Sequence, residues 1–121
     1  MKTSLVFVRH AEVEPTYHRI FGGRLDIGLS DLGHEQAARL AAWLHRFEFR
    51  AIYSSPMKRV RLTLEPFLSR TGMQPAVMDD LREVDFGDWT GLEWAQVHER
   101  FGVSAYDWLH VLSSQGFPNG E

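Results

Sequence analysis

Ser4-Leu5-Val6-Phe7-Val8 runs straight into Arg9-His10, and the fold is read from this junction. The run is apolar, rich in β-forming residues, and lacks the alternation of a half-exposed strand. It predicts a strand buried on both faces, as in a parallel sheet. Residues 12–29 show no sustained period and carry Pro15, Gly22, Gly23 and Gly28, so they read as one long loop. Loops of that length inside a compact domain are usually functional. Ser30 then offers an N-cap and Asp31 a negative charge in the first turn. Leu32, Ala37, Leu40, Ala41 and Leu44 recur at helical spacing, which predicts a helix with one apolar stripe to residue 46.

Residues 49–53 predict a second strand. Ser55-Pro56 predicts a helix start, with a cap followed by proline at the first helical position. Val60, Leu64, Phe67 and Leu68 give that helix its apolar face, and Pro66 should kink or shorten it. A third strand is expected at 76–78, ahead of an acidic loop. Helices are expected at 92–101 and 105–112, separated at Gly102, and the segment with Gly116, Pro118, Asn119 and Gly120 reads as a loop. Strands alternating with helices imply right-handed crossovers and an α/β fold with a mostly parallel sheet. Ligands of such sheets sit beyond the carboxyl ends of the strands. Arg9 and His10 fall at that end of the first strand and residues 54–59 follow the second, so both segments are expected to face one cleft.

The 121 residues fit one domain, long enough to bury roughly two thirds of the unfolded surface. Thirteen basic against sixteen acidic residues give a net charge of −3. That balance argues against nucleic acid as a partner, which needs a clustered basic face. An anionic ligand must instead be held by a few local arginines. The absence of cysteine excludes disulfides and thiolate chemistry. Residues 5–8 are too short for a signal-peptide core and no stretch approaches a membrane span, so a soluble cytoplasmic protein with no membrane partner is expected. Three strands with these helices make a thin parallel sheet, and the sequence stops in a polar loop at Glu121, which reads as a truncation.

Three segments carry chemistry. A neutral imidazole at His10 is a competent nucleophile toward phosphorus, and the adjacent Arg9 can grip a phosphoryl group through paired hydrogen bonds. The dipeptide alone better fits a surface or capping histidine beside a solvated arginine. Arg59, near a helix N-terminus with free N–H groups, can add a second guanidinium to the same anion. Phosphoryl transfer depends on such positioning and charge neutralisation, although Lys58, Arg59 and Arg61 also suit a solvated helix face. In Leu81-Arg82-Glu83-Val84-Asp85-Phe86-Gly87-Asp88-Trp89, a carboxyl held among aromatic residues would have a raised pKa and could protonate a leaving alkoxide. Glu83, Asp85 and Asp88 are equivalent on that ground. The six histidines show no spacing that makes a zinc site, and Gly22-Gly23 lacks a nucleotide-binding signature.

Together the segments resemble the histidine phosphatase, or phosphoglycerate mutase-like, superfamily. Val8-Arg9-His10-Ala11-Glu12 is similar to its Arg-His-Gly-Glu motif, and Leu29-Ser30-x-x-Gly33-x-x-Gln36-Ala37 to its Leu-Thr-x-x-Gly-x-x-Gln-Ala helix start. Ser54-Ser55-Pro56-Met57-Lys58-Arg59 resembles its Ser-Ser-Pro-x-x-Arg segment. Leu81-x-Glu83-x-x-Phe86-Gly87-x-Trp89-x-Gly91 and Pro118-Asn119-Gly120-Glu121 resemble two further stretches. The resemblance implies a three-layer α/β sandwich, of which residues 1–121 form the N-terminal part. It implies a metal-free, cofactor-free phosphomonoesterase in which His10 is the nucleophile, Arg9 and Arg59 clamp phosphate, and Glu83 donates the proton. His18 lies near the place of a phosphate-binding asparagine. The family's second histidine, in a later His-Gly motif, has no counterpart here, so little activity is expected of residues 1–121 alone. Ala11 stands where the family usually has glycine. The Phe-Gly-Asp-Trp stretch and the Pro-Asn-Gly-Glu ending look most like α-ribazole phosphatases, with broad-specificity phosphatases sharing both, so the expected substrate is a small phosphorylated metabolite, with α-ribazole 5'-phosphate as one candidate. A phosphoglycerate-type mutase and a non-catalytic phosphate-binding module are the competing readings.

Overall fold

A computed structural model describes residues 1–121. In chain order it contains α1 (Asp31–Leu44), β1 (Tyr53–Ser54), α2 (Lys58–Thr71), β2 (Ala76–Val77), α3 (Trp94–Phe101) and α4 (Trp108–Ser114). Short 3-10 turns occupy Pro15–Tyr17, Asp79–Leu81, Gly87–Trp89 and Ala105–Asp107. β1 and β2 pair in parallel, Tyr53 opposite Ala76 and Ser54 opposite Val77, with α2 as the connection between them. This is the expected α/β alternation on a small scale.

The first strand is the main difference from expectation. Residues 4–8 join no ladder, and the sheet consists of β1 and β2. Leu5 and Phe7 are 75% and 90% exposed. Apolarity marks a segment that suits burial, but a strand exists only where neighbours accept and donate along it, and the chain places none beside residues 4–8. The strands at 53 and 76 are likewise shorter than expected. No helix is long and apolar enough to cross a membrane.

α1 follows its sequence signals closely. Ser30 Oγ accepts from the Gly33 N–H at 2.9 Å, and Ala37, Ala41 and Leu44 form its buried face. α2 starts two residues later than Ser55-Pro56 suggests. Ser55 Oγ accepts from the Met57 N–H at 3.2 Å, which closes a turn before the helix and leaves Met57 as the N-cap. α2 then runs through Pro66 to Thr71 without a break and ends on Gly72 in the left-handed region at φ 68°. The two helices pack through Ala41 and Leu44 against Phe67. A second core gathers Phe21, Phe86, Trp89, Val97, Val111 and Phe117 under α3 and α4. α3 begins at a capping box between Glu93 and Gln96, and its first residue, Trp94, lies two past the expected start.

The motif at the start of α1 serves the segment just after His10. The Ser30 N–H donates to the Glu12 carbonyl at 3.0 Å, and Ser30 Oγ donates to Glu12 Oε1 at 2.7 Å. Gln36 Oε1 accepts from the Glu12 N–H at 2.9 Å. Ala37, fully buried, packs with Ala11 and Leu29. Gly33 lies so close that a Cβ there would meet the Glu12 carbonyl oxygen. Gly33→Ala should therefore lower unfolding free energy by about 1–3 kcal/mol, measured by urea denaturation. A change within error would show that the helix start is free to move away from Glu12.

Candidate active site

The residues singled out in the sequence converge. Arg9, His10, His18, Arg59 and Glu83 line one open cleft of about 630 Å³, with Phe86, Trp94 and Trp108 in its wall. The cleft lies where residues 9–11, the start of α2, the loop at 18–23 and the acidic loop come together.

His10 is half-buried at the end of the apolar run. Its Nδ1 lies 2.8 Å from the Ala11 carbonyl oxygen. A carbonyl only accepts, so Nδ1 carries the proton and the neutral ring presents its lone pair on Nε2. Burial pushes the imidazole below its ordinary value of 6.5. The Ala11 carbonyl opposes this shift, the charges of Arg59 and Arg9 reinforce it, and Glu83 opposes it weakly. The net result is a neutral ring at neutral pH, with its free nitrogen beside cations.

Arg59 is 5% exposed and sits in the first turn of α2. One terminal nitrogen donates to the Gly23 carbonyl at 2.8 Å and the other to the Leu25 carbonyl at 3.4 Å. The guanidinium is thus fixed against the 23–25 backbone while its remaining N–H groups are free to meet an anion. Burial holds it below the usual arginine value, with the Glu83 charge acting the other way. It remains a cation throughout the working range of pH.

The relation between His10 and Arg59 is set by Thr63, which sequence reasoning missed. Thr63, 3% exposed, accepts from the Ala11 N–H at 2.9 Å and donates to the Arg59 carbonyl at 2.7 Å. One hydroxyl therefore ties the residue after the histidine to the turn that carries the arginine. The available signal was a lone polar residue in the apolar stripe of α2, four positions after Arg59 and so on the same face.

His18 is exposed, and its Nε2 lies 2.9 Å from the Val13 carbonyl. That bond occupies the Nε2 proton, so His18 can donate to an anion only through Nδ1 and only as the imidazolium. Glu83 lines the cleft but is exposed rather than enclosed by aromatic residues, because Phe86 and Trp89 turn into the core. The methyl of Ala11 packs against Leu29 and Ala37, which explains how a side chain is accommodated at this position. The cleft contains no cluster of His, Asp and Glu arranged to hold a metal ion.

A neutral imidazole with a directed lone pair, in a cleft that two guanidiniums also line, has the chemistry that could accept a phosphoryl group. Residues 5–121 match the histidine phosphatase superfamily, branch 1. The chain belongs to that superfamily. Its fold is the α/β fold of the family, as the motif resemblance implied. Phosphoserine phosphatase 1 of Hydrogenobacter thermophilus is 34% identical over 117 residues, which cover 97% of this chain and 56% of that protein. The native structure of mycobacterial glucosyl-3-phosphoglycerate phosphatase matches with a TM-score of 0.81 at 30% identity, covering 93% of this chain and 52% of that one. The α-ribazole phosphatase from Shigella flexneri shares the fold, with a TM-score of 0.79 at 24% identity over 94% of this chain and 56% of that one. The chain spans about half the length of these relatives.

Thr63→Val should leave the Ala11 N–H buried without a partner and cost about 1–3 kcal/mol of unfolding free energy, whereas Thr63→Ser should lose much less. Equal stability of the valine variant and the parent in urea would contradict the bridging role.

Proposed function

We propose that the protein is a phosphomonoesterase that acts on a small phosphorylated metabolite through a phosphohistidine at His10. The observation that carries this reading is the bond from His10 Nδ1 to the Ala11 carbonyl, in a ring kept neutral by burial. Together they aim an available Nε2 lone pair into a cleft shared with Arg9 and Arg59. Nε2 attacks phosphorus while the bond from phosphorus to the ester oxygen breaks. Glu83, entering as the acid, gives its proton to the departing alkoxide. Water then attacks phosphorus as the bond from phosphorus to Nε2 breaks, Glu83 takes up a proton from that water, and phosphate leaves with the neutral imidazole restored. Arg9 and Arg59 neutralise the equatorial oxygens in both steps, and His18 contributes when protonated. Residues 1–121 act as the N-terminal part of a histidine phosphatase domain.

The substrate class is a phosphomonoester with an organic leaving group that can rest against Phe86, Trp94 and Trp108. The resemblance to α-ribazole phosphatases makes α-ribazole 5'-phosphate the first compound to assay. Phosphoserine and glucosyl-3-phosphoglycerate follow from the names of the relatives. The reaction needs no cofactor.

Rapid quenching of the full-length protein with labelled substrate into alkali should trap one phosphate on His10. The label should be lost in acid, as a phosphoramidate is, and should be absent from His10→Ala. Stable labelling of the alanine variant would overturn the assignment of the nucleophile.

The protonation state gives an independent check. A ring whose pKa is depressed by burial binds its second proton only below the ordinary imidazole value, so the nucleophile stays available as pH falls through 6.5 and is lost below it. The His10 ring signals in an NMR titration of the ligand-free protein should have a midpoint below 6.5. A midpoint at or above that value would contradict the burial argument.

A further inference from the structure

Glu83 has no firm anchor of its own. Its Oε1 accepts from the neighbouring Val84 N–H at 2.9 Å, its side chain is exposed, and its loop is irregular apart from short 3-10 turns. A proton donor must nevertheless be held within hydrogen-bond reach of the leaving oxygen. The loop is fixed instead by two residues remote from it in sequence. Arg24 Nε donates to the Glu83 carbonyl at 3.2 Å. One terminal nitrogen of the same guanidinium donates to Glu121 Oε1 at 2.7 Å, and the other lies 3.6 Å from Asp85 Oδ2. Glu121 Oε2 accepts from the Asp85 N–H at 2.9 Å, and the Glu121 N–H donates back to the Asp85 carbonyl at 2.9 Å.

The clamp also connects to the phosphate side of the cleft. Arg24 directly follows Gly23, whose carbonyl is held by Arg59, and precedes Leu25, whose carbonyl Arg59 also reaches. The backbone at 23–25 is therefore fixed by Arg59 on one side and, through the Arg24 side chain, fixes Glu83 on the other.

We propose that Arg24 and Glu121 are positioning residues for the proton donor, forming a clamp that sets the distance between Glu83 and the phosphoryl group held at His10 and Arg59. This rests on the reading of Glu83 as the acid. Glu121 is suited to the task because donation from the Asp85 amide, followed by the Arg24 guanidinium, holds its carboxyl below the usual carboxylate range. The clamp thus stays ionised at working pH. The tail is kept in place by Gly87, whose φ of 54° suits glycine and whose Cα faces the 118–120 backbone so closely that any Cβ would collide with it. Asn119 adds bonds to both carboxylate oxygens of Asp88, at 3.2 and 3.0 Å.

Arg24 and Glu121 side chains are 33% and 53% exposed. Exposed pairs of this kind contribute little to global stability. Their loss should therefore move Glu83 without unfolding the protein, and the effect should depend on how much the leaving group needs a proton. An alkoxide needs one, whereas a nitrophenolate does not.

The test uses the full-length protein and compares kcat/KM for an alkyl phosphate with that for p-nitrophenyl phosphate. Arg24→Ala and Glu121→Gln should each lose about 10–100-fold on the alkyl ester and change the nitrophenyl ester by no more than about threefold. Turnover of the nitrophenyl ester also reports that each variant is folded. Glu83→Gln is the reference and should show the same selectivity with a larger loss, on the order of 100-fold or more. If Glu83→Gln slows both esters alike, Glu83 is not the acid and the clamp falls with it. If Glu83→Gln is selective while Arg24→Ala and Glu121→Gln leave the ratio of the two esters unchanged, the clamp alone is overturned.

Discussion

The Thr63 hydroxyl is the constraint on which the cleft depends. Buried from water, it joins the Ala11 N–H, 52 residues earlier in the chain, to the Arg59 carbonyl. A single such bond contributes only about 1 kcal/mol net to stability, so its consequence is geometric. It fixes the end of the histidine segment to the first turn of α2, and the His10 ring and the buried guanidinium cannot slide past each other. The start of α1 completes the arrangement from the other side. The Ser30 N–H and Gln36 Oε1 hold the backbone of Glu12, Ser30 Oγ holds its carboxylate, and Gly33 meets it in a contact that leaves no room for a Cβ. Residues that look in sequence like a helix cap and its neighbours also brace, in the fold, the Glu12 backbone two positions after His10.

The electrostatics follow from that placement. Bringing an imidazole toward two arginines and away from water favours its neutral form, and the Ala11 carbonyl decides which nitrogen is left with the lone pair. The two arginine charges oppose protonation of the ring and would repel one another if nothing negative joined them. Glu83 supplies part of the balance at the rim, and its charge acts on both His10 and Arg59. A phosphoryl group would supply the rest. Such a site attracts an anion locally in a protein whose net charge is −3.

The helices were legible because their signals are local. The apolar spacing of 32–44, the Ser30 cap and the Gly102 stop need only neighbouring residues. The first strand was not, because residues 4–8 describe a suitable side-chain pattern, while a ladder depends on partners elsewhere. The start of α2 was misplaced by two residues because the Ser55 hydroxyl closes a turn with Met57 rather than capping the helix. Arg9, His10, His18, Arg59 and Glu83 could be named from motifs, and all five line one cleft. Thr63, Arg24 and the use made of Glu121 could not, since their partners lie 52, 59 and 36 residues away and no local pattern announces them. The expectation that aromatic neighbours enclose Glu83 failed for a related reason. Phe86 and Trp89 face the core with Phe21 and Phe117, and the carboxyl is left at the surface.

Phosphoryl transfer at this cleft requires one tetrahedral anion to be shared by His10 Nε2 and the guanidiniums of Arg9 and Arg59. A crystal structure of the full-length protein with orthovanadate tests this directly. Vanadium should be bonded to Nε2 of His10, with its oxygens within hydrogen-bond distance of Arg9 and Arg59 and with Nδ1 still on the Ala11 carbonyl. Vanadate bound away from His10, or bonded through Nδ1 with Arg59 out of reach, would contradict it.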